Sequence, residues 1–306
     1  MAKTPPPFAI TLPATSANLG PAFDSAAIAL RLHLRLRAVV APEFSIAATG
    51  RDAETCGRVE PNLILETYRE ILEGEGRKAQ PLALTISNDM PIGRGTGSSA
   101  AARLAAIALA VHFGGLKWKD DRILAEAADR ERHHDNAAAC WLGGVALVYP
   151  GGALRLRARA KWPLLLAVPH ETLLTERSRA VLPDCYPRAD AVANVQHAML
   201  LAAALVEGDS DLLRHALRDR FHEPYRGPLC PLLEPLRAMA DGKTGVLGAV
   251  LSGAGPSVLM VLDPVAEPVG KTIRKIGARL AKLGLPAELL LTTMERRGAA
   301  GQRRVG

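Results

Sequence analysis

Residues 91–102 read Pro91-Ile92-Gly93-Arg94-Gly95-Thr96-Gly97-Ser98-Ser99-Ala100-Ala101-Ala102. Glycine at alternating positions suits neither a helix nor a strand interior, where it loses backbone entropy and leaves nothing to pack. Two hydroxyls follow, then an alanine-rich apolar run through Ala110 with high helix propensity. A side-chain-free loop feeding a helix start presents bare N–H groups and the positive end of the helix dipole. Together they make an anion site, most often for a phosphate. The glycine spacing is not that of the dinucleotide fold, and the Gly-Lys-Ser/Thr ending of the Walker loop is missing. Standing alone, the stretch is also compatible with an ordinary turn before a helix.

Working outward, residues 81–87 read as a strand entering the loop and 99–113 as the helix leaving it. Leu30, Leu32, Leu34 and Leu36 alternate with Arg31, His33, Arg35 and Arg37. That period of two predicts a strand with one wet face, so His33 and the arginines are expected in solvent. Residues 8–12 read as a short strand, 62–73 as a helix, and 120–132 as a helix capped by Asp120. Strands are predicted at 143–149, 153–159 and 164–168, and helices at 188–207, 211–220 and 229–240. The chain closes with strands 246–251 and 257–262, helix 268–283 and strand 287–292. A Gly-Gly turn and a basic strand at 150–161 mark the seam between two differently patterned halves.

The chain has 306 residues, 48% of them hydrophobic and 4% aromatic, which suits one large or two medium domains with aliphatic cores. No apolar stretch approaches the roughly 20 residues that span a bilayer, so no membrane partner is expected. The N-terminus lacks a signal-peptide core. Cys56, Cys140, Cys185 and Cys230 have no paired spacing, which predicts neither zinc nor disulfides and points to a reducing cytoplasm. The net charge of +7 favours anionic partners. No basic stripe is interleaved with aromatics, so nucleic acid is not expected as a partner. Part of the charge (Arg296, Arg297, Arg303, Arg304) lies in a Gly/Ala/Gln tail, residues 296–306, expected to be disordered.

Two further stretches support the loop. Pro13-Ala14-Thr15-Ser16-Ala17-Asn18-Leu19-Gly20-Pro21-Ala22-Phe23-Asp24 is dense in small and polar residues directly after a strand. Asn18 and Asp24 suit either a ligand or an Asx turn. Leu251-Ser252-Gly253-Ala254-Gly255-Pro256-Ser257 is a glycine turn between apolar strands. It reads as a hairpin or as a place where backbone approaches a ligand closely.

In this order the three stretches resemble the GHMP family of small-molecule kinases. The middle one is similar to that family's phosphate loop and the third to its C-terminal glycine motif. The first resembles the homoserine kinases within the family, because other members usually carry Gly-Lys where this chain has Ala17-Asn18. Glu131-Arg132-His133-His134-Asp135-Asn136, the stretch from Thr175 through Arg179 to Pro183, and Glu223-Pro224-Tyr225-Arg226 extend the likeness over nearly the whole chain. Ala22, Ala27, Arg132 and His134 depart from the pattern and add bulk.

The resemblance implies an α+β, two-domain kinase. Residues 1–155 would form an ATP-binding domain like ribosomal protein S5 domain 2, with a left-handed βαβ unit. Residues 156–295 would form a ferredoxin-like domain, with the ligands between the two. It implies transfer of the ATP phosphoryl group to the hydroxyl of homoserine, with another small alcohol or an inactive ATP-binding regulator as alternatives, and a possible homodimer. ATP would be held by Pro91, Gly93, Arg94, Gly95, Thr96, Gly97, Ser98, Ser99, Ala100, Gly253 and Gly255, and Mg2+ by Ser98, Ser99 and Glu131. Arg179 and Arg226 would grip the substrate carboxylate. Asn18, Asp24 and Asn136 would take the ammonium and hydroxyl, Thr175 would lie near the acceptor end, and His133 would orient the site. Asn136 stands where other family members carry an aspartate base, and an amide takes no proton at neutral pH. Positioning and electrostatics are therefore expected to carry the reaction.

Overall fold

The structure, a computed structural model, describes residues 4–131, 133–240, 242 and 244–306. Strands β1 (Phe8–Ala17), β2 (Ala26–Val40) and β3 (Ser45–Gly50) precede helices α1 (Ala53–Cys56) and α2 (Leu63–Gly74). Next, β4 (Leu82–Asn88) enters the glycine loop and α3 (Ser98–Phe113) leaves it. Helices α4 (Asp120–Arg130) and α5 (His134–Leu142) lead to β5 (Val145–Tyr149) and β6 (Gly152–Leu156). The second half runs β7 (Leu164–Pro169), α6 (Thr175–Ala180), α7 (Arg188–Glu207), α8 (Ser210–Ala216), α9 (Glu223–Arg226) and α10 (Leu233–Arg237). It closes with β8 (Val246–Leu251), β9 (Val258–Leu262), α11 (Val269–Lys282), β10 (Ala287–Thr292) and β11 (Arg303–Val305).

Among the described residues the strands form two sheets, giving the α+β class expected. The larger follows β11-β1-β2-β4-β3, with β5 on β2 and β6 on β5. The smaller, β10-β7-β9-β8, is antiparallel throughout. Strands β3 and β4 are parallel, so the chain crosses over between them through α1 and α2. The larger sheet is left after Leu156 and the smaller entered at Leu164.

Helix α3 sets the site. Ala101, Leu104, Ala105, Ile107, Leu109 and Ala110 are all fully buried, and α2, α4, α5 and β1 pack around the helix. A helix apolar on nearly every side has no wet face, so it lies inside the domain and its start is held in place.

Several expectations are corrected. The C-terminal tail is ordered: β11 pairs with β1, setting Phe8 opposite Val305. Arg303 donates to Asp120 at 2.7 Å and lies 5.0 Å over the Trp141 ring, so its charge is matched rather than left in solvent. That contact also occupies the Asp120 carboxylate. Lys119, not Asp120, stands at the cap of α4, and no side chain caps it. His33 is buried, with Nε2 3.2 Å from Glu295 Oε2, because the returning segment after β10 covers it. Residues 229–240 do not form one helix: Pro231 lacks the N–H that would carry a helix on from Leu229, and α10 begins only at Leu233, with Pro235 in its first turn. Residues 188–207 are one 20-residue helix, long and apolar enough by composition to cross a membrane. Yet its buried Asn194 donates to Pro21 O and accepts from Arg220 N, so the helix packs on the protein.

Candidate active site

Three loops meet at the start of α3, and each is bonded to the other two. Thr15 N donates to Thr96 O at 2.9 Å. Ser252 Oγ donates to Gly95 O at 2.6 Å and shares a hydrogen bond with Ser16 Oγ at 2.9 Å. Gly253 N donates to Ala17 O at 3.1 Å. The three stretches singled out from the sequence are therefore one structural unit. Close approach explains two glycines: a Cβ on Gly95 would lie 2.2 Å from Ser252 O, and one on Gly97 would lie 1.9 Å from Thr15 Oγ1. Both also have positive φ, +76° and +64°. Asp52 stiffens the loop by accepting from Ile92 N at 3.0 Å.

The loop borders a cleft of about 660 Å³ that continues along Ser98, Ser99, Glu131, His133 and Asn136 and includes Gly253 and Gly255. Gly97 caps α3 in the left-handed conformation with no side-chain bond, so the first N–H groups of this 16-residue helix are not spent on a cap. That is the anion-binding geometry of a helix start. Away from the loop the cleft is lined by Asn62, Ile64, Asn88 and Met90. None of these four is marked as a site residue by the sequence; Asn62 shows there only as a helix start, and its Oδ1 does cap α2.

Glu131 is 7% exposed and reaches back to α3. Its Oε1 accepts from Ser99 Oγ at 3.0 Å, and its Oε2 lies 3.3 Å from Arg103 Nε. His133 Nδ1 is 3.6 Å from Oε1, which places His133 behind the carboxylate. A carboxylate and hydroxyls at a helix start are hard oxygen donors, and they fit a magnesium ion that takes its remaining ligands from phosphates and water. Among the described residues no cluster of three or more His, Cys, Asp or Glu could hold a metal by itself.

The residues expected to hold the acceptor lie next to this cleft, joined to its Gly253 wall through Asn18. Helix α6 carries Arg179, whose NH2 donates to both oxygens of Asp24 at 3.0 and 3.1 Å. Helix α9 carries Arg226, which has no exposed surface. Arg226 Nε donates to Ser178 O at 3.0 Å, NH1 lies 3.4 Å from His222 Nδ1, and NH2 has no partner. Asn136 Oδ1 accepts from Thr15 Oγ1 at 2.5 Å. Asn18, expected to face the substrate, has a committed amide: Nδ2 donates to Gly253 O at 2.8 Å and Oδ1 accepts from Asp24 N at 3.0 Å. The side chain of Thr175 and all of Arg132 lie outside the described residues. Ala22 and Ala27 are buried in hydrophobic clusters, so the bulk they add is taken up by packing.

Asp135, next to Asn136, carries no sign of a site role in the sequence. Its side chain is fully buried; Oδ1 accepts from Asn136 N at 2.8 Å and Oδ2 has no partner. Burial, and then the neighbouring Asp24 carboxylate, push its pKa up to about 7. An acid at the start of α5 gives no sequence signal of burial, because that depends on what packs over it.

The GHMP kinases N terminal domain family is matched by residues 62–144 and the GHMP kinases C terminal family by residues 201–277. A homoserine kinase of Solibacter usitatus is 42% identical over 275 residues, covering 88% of this chain and 90% of its own. One of Deinococcus radiodurans is 38% identical over 261 residues, covering 84% and 85%. In fold, the crystal structure of homoserine kinase from Cytophaga hutchinsonii matches with a TM-score of 0.81 at 24% identity, over 100% of this chain and 99% of that one. The L. major mevalonate kinase bound to R-mevalonate matches at 0.70 and 14% identity, over 95% and 97%. With a glycine loop entering a buried helix beside an open cleft, and with relatives matching along most of its length, the chain belongs to the GHMP kinase family, on its homoserine kinase branch.

Proposed function

We propose that this protein transfers the γ-phosphoryl group of ATP to the side-chain hydroxyl of L-homoserine, giving O-phospho-L-homoserine. One observation carries the choice of acceptor. Arg226 NH2 and Asp135 Oδ2 are opposite charges, both buried and both without a partner. Each lies within electrostatic reach of Asp24 and Arg179. An amino-acid zwitterion completes both at once, with its carboxylate on the arginine and its ammonium on the acid. A hydroxy acid without an amine would leave Asp135 unmatched, at the full penalty of a buried unsatisfied group. The relatives' shared name supports the same acceptor.

The chain's own groups divide the work. The amides of residues 93–99 and the start of α3 hold the phosphates, with Arg94 at the rim and the Gly253 and Gly255 backbone closing the cradle. Glu131, Ser98 and Ser99 would hold Mg2+, which would supply positive charge against the phosphate oxygens. Arg179 releases Asp24 and joins Arg226 on the carboxylate, freeing Asp24 to share the ammonium with Asp135. Asn136 and Thr175 aim the hydroxyl, and His133 steadies Glu131. Asn136 cannot take the proton, so rate comes from alignment and charge stabilisation, and the proton leaves late to the transferred phosphate.

In the same reading the enzyme works on small molecules in the cytoplasm, without nucleic acid or membrane, as a homodimer. The exposed Val192, Val195 and Met199, which share one side of α7, support a dimer surface, checked by the mass in solution. The activity is tested by ADP release with homoserine, threonine and mevalonate in turn. Homoserine with Mg-ATP should give the fastest turnover and a phosphomonoester by 31P NMR. A faster rate on another alcohol, or nucleotide binding with no product, would overturn the assignment.

A further inference from the structure

Phe23 is a large apolar side chain that belongs to none of the hydrophobic clusters among the described residues. Half-buried, it packs instead against two guanidinium groups and an imidazole. It sits in a turn built on left-handed residues, with φ of +72° at Asn18, +47° at Leu19 and +49° at Asp24. The Arg226 guanidinium lies over its ring at 5.2 Å from the centroid and that of Arg179 at 5.9 Å. The His222 ring stacks on it at 5.3 Å and 27°. His222 Nε2 lies 2.9 Å from Gly20 O, and with a carbonyl there this nitrogen carries the proton. Its Nδ1 is then an acceptor and faces Arg226 NH1 at 3.4 Å.

We propose that Phe23 is a positioning residue for the substrate carboxylate, attracting Arg226 and Arg179 to the π face of its ring and leaving NH2 of Arg226 open for the ligand. The inference rests on the amino-acid acceptor proposed above. Its physical basis is the difference between a face and an edge. A guanidinium offers five donors in its plane and none on its faces. A carboxylate neighbour for Arg226 would occupy the edge that a substrate needs. An aromatic ring attracts the cation through its quadrupole and has no lone pair for those N–H groups. Ser178 O and His222 Nδ1 take two of the three nitrogens, the guanidinium carbon lies over the Phe23 ring, and NH2 is left over. Burial lowers the pKa of Arg226, with nearby Arg179 adding to the effect, so a partner that favours the charge without consuming a donor is what the site requires.

The test separates a π face from mere bulk. Phe23→Leu should raise the KM for homoserine about tenfold, the loss expected for a desolvated cation–π contact, with the KM for ATP unchanged and kcat within about threefold. Phe23→Tyr should restore the homoserine KM to within about threefold. Homoserinol, the same amino alcohol without the carboxylate, should show no added KM penalty in Phe23→Leu. Stepwise fluorination of the ring at position 23 keeps its shape and drains the face, and log KM for homoserine should climb with each fluorine. That series stands even if Phe23→Leu folds poorly. Equal losses for homoserine and homoserinol, or a KM indifferent to fluorination, would reduce Phe23 to packing. A wild-type enzyme that fails to phosphorylate homoserine would instead overturn the acceptor assignment, a result visible before any variant is made.

Discussion

Replacing Gly95 by alanine puts the interlock of the three loops to a direct test. Its φ of +76° is left-handed, which costs an alanine roughly 1–2 kcal/mol. The new Cβ would stand 2.2 Å from Ser252 O and 2.9 Å from Gly255 O, both backbone atoms of the neighbouring loop. Backbone cannot swing aside as a side chain can, so overpacking adds roughly 1–3 kcal/mol. The total is roughly 2–5 kcal/mol. Gly93 is the built-in control: its φ is +68°, but the nearest atom to a Cβ there is Thr172 Cγ2 at 3.8 Å. Gly93→Ala should therefore cost only the conformational part, roughly 1–2 kcal/mol. Urea unfolding of the two variants measures the difference. Relief of the clash also parts Gly95 O from Ser252 Oγ and shifts the phosphate loop, so kcat/KM for ATP should fall about 100-fold in Gly95→Ala. Equal stability and equal ATP kinetics in the two variants would refute the interlock.

The Asp135 carboxyl, pushed up to about 7, should make kcat/KM for homoserine rise with pH through that value while kcat stays flat. In Asp135→Asn the rise should vanish; a kcat that follows the same ionisation would make Asp135 a base instead. The sign for stability is opposite. A carboxyl raised in the fold stabilises below its unfolded value near 4, and that contribution is lost as pH climbs through 7. Asp135→Asn should accordingly gain on the wild type in thermal unfolding as the pH rises from about 4 to 7. Glu131→Gln should raise the Mg2+ concentration for half-maximal rate at least roughly tenfold with little change in melting temperature, read from magnesium titrations. Truncation after Gln302 removes β11 and the Arg303–Asp120 contact, and should lower the unfolding free energy by roughly 1–3 kcal/mol while baring an edge of β1 to aggregation.

Local chemistry was readable from the chain alone. Alternating glycines before an alanine run read as a loop entering a helix, since neither a helix nor a strand interior suits them, and α3 begins at Ser98, one residue before the start expected. Leucine alternation marked β2, and the apolar runs at 246–251 and 287–292 became β8 and β10 with those bounds. What failed were judgements of exposure. His33 looked wet because it shares a strand face with arginines, and Arg303 looked loose because it lies in a Gly/Ala/Gln tail, but surroundings are decided by what arrives from far away: Glu295 over one, Asp120 and Trp141 beside the other.

The same division holds at the site. Sequence determined the residue types, a bare amide loop with hydroxyls, an acid and arginines, because phosphate and carboxylate recognition demands those groups wherever they lie. Only the tertiary structure decided which of them are spent and which are left over. Asn18 has both ends of its amide bonded, Asp24 and Arg179 hold each other, and Arg226 and Asp135 each keep one atom unmatched. Satisfaction of a polar group is a property of its whole surroundings in three dimensions, and no stretch of chain carries that information by itself.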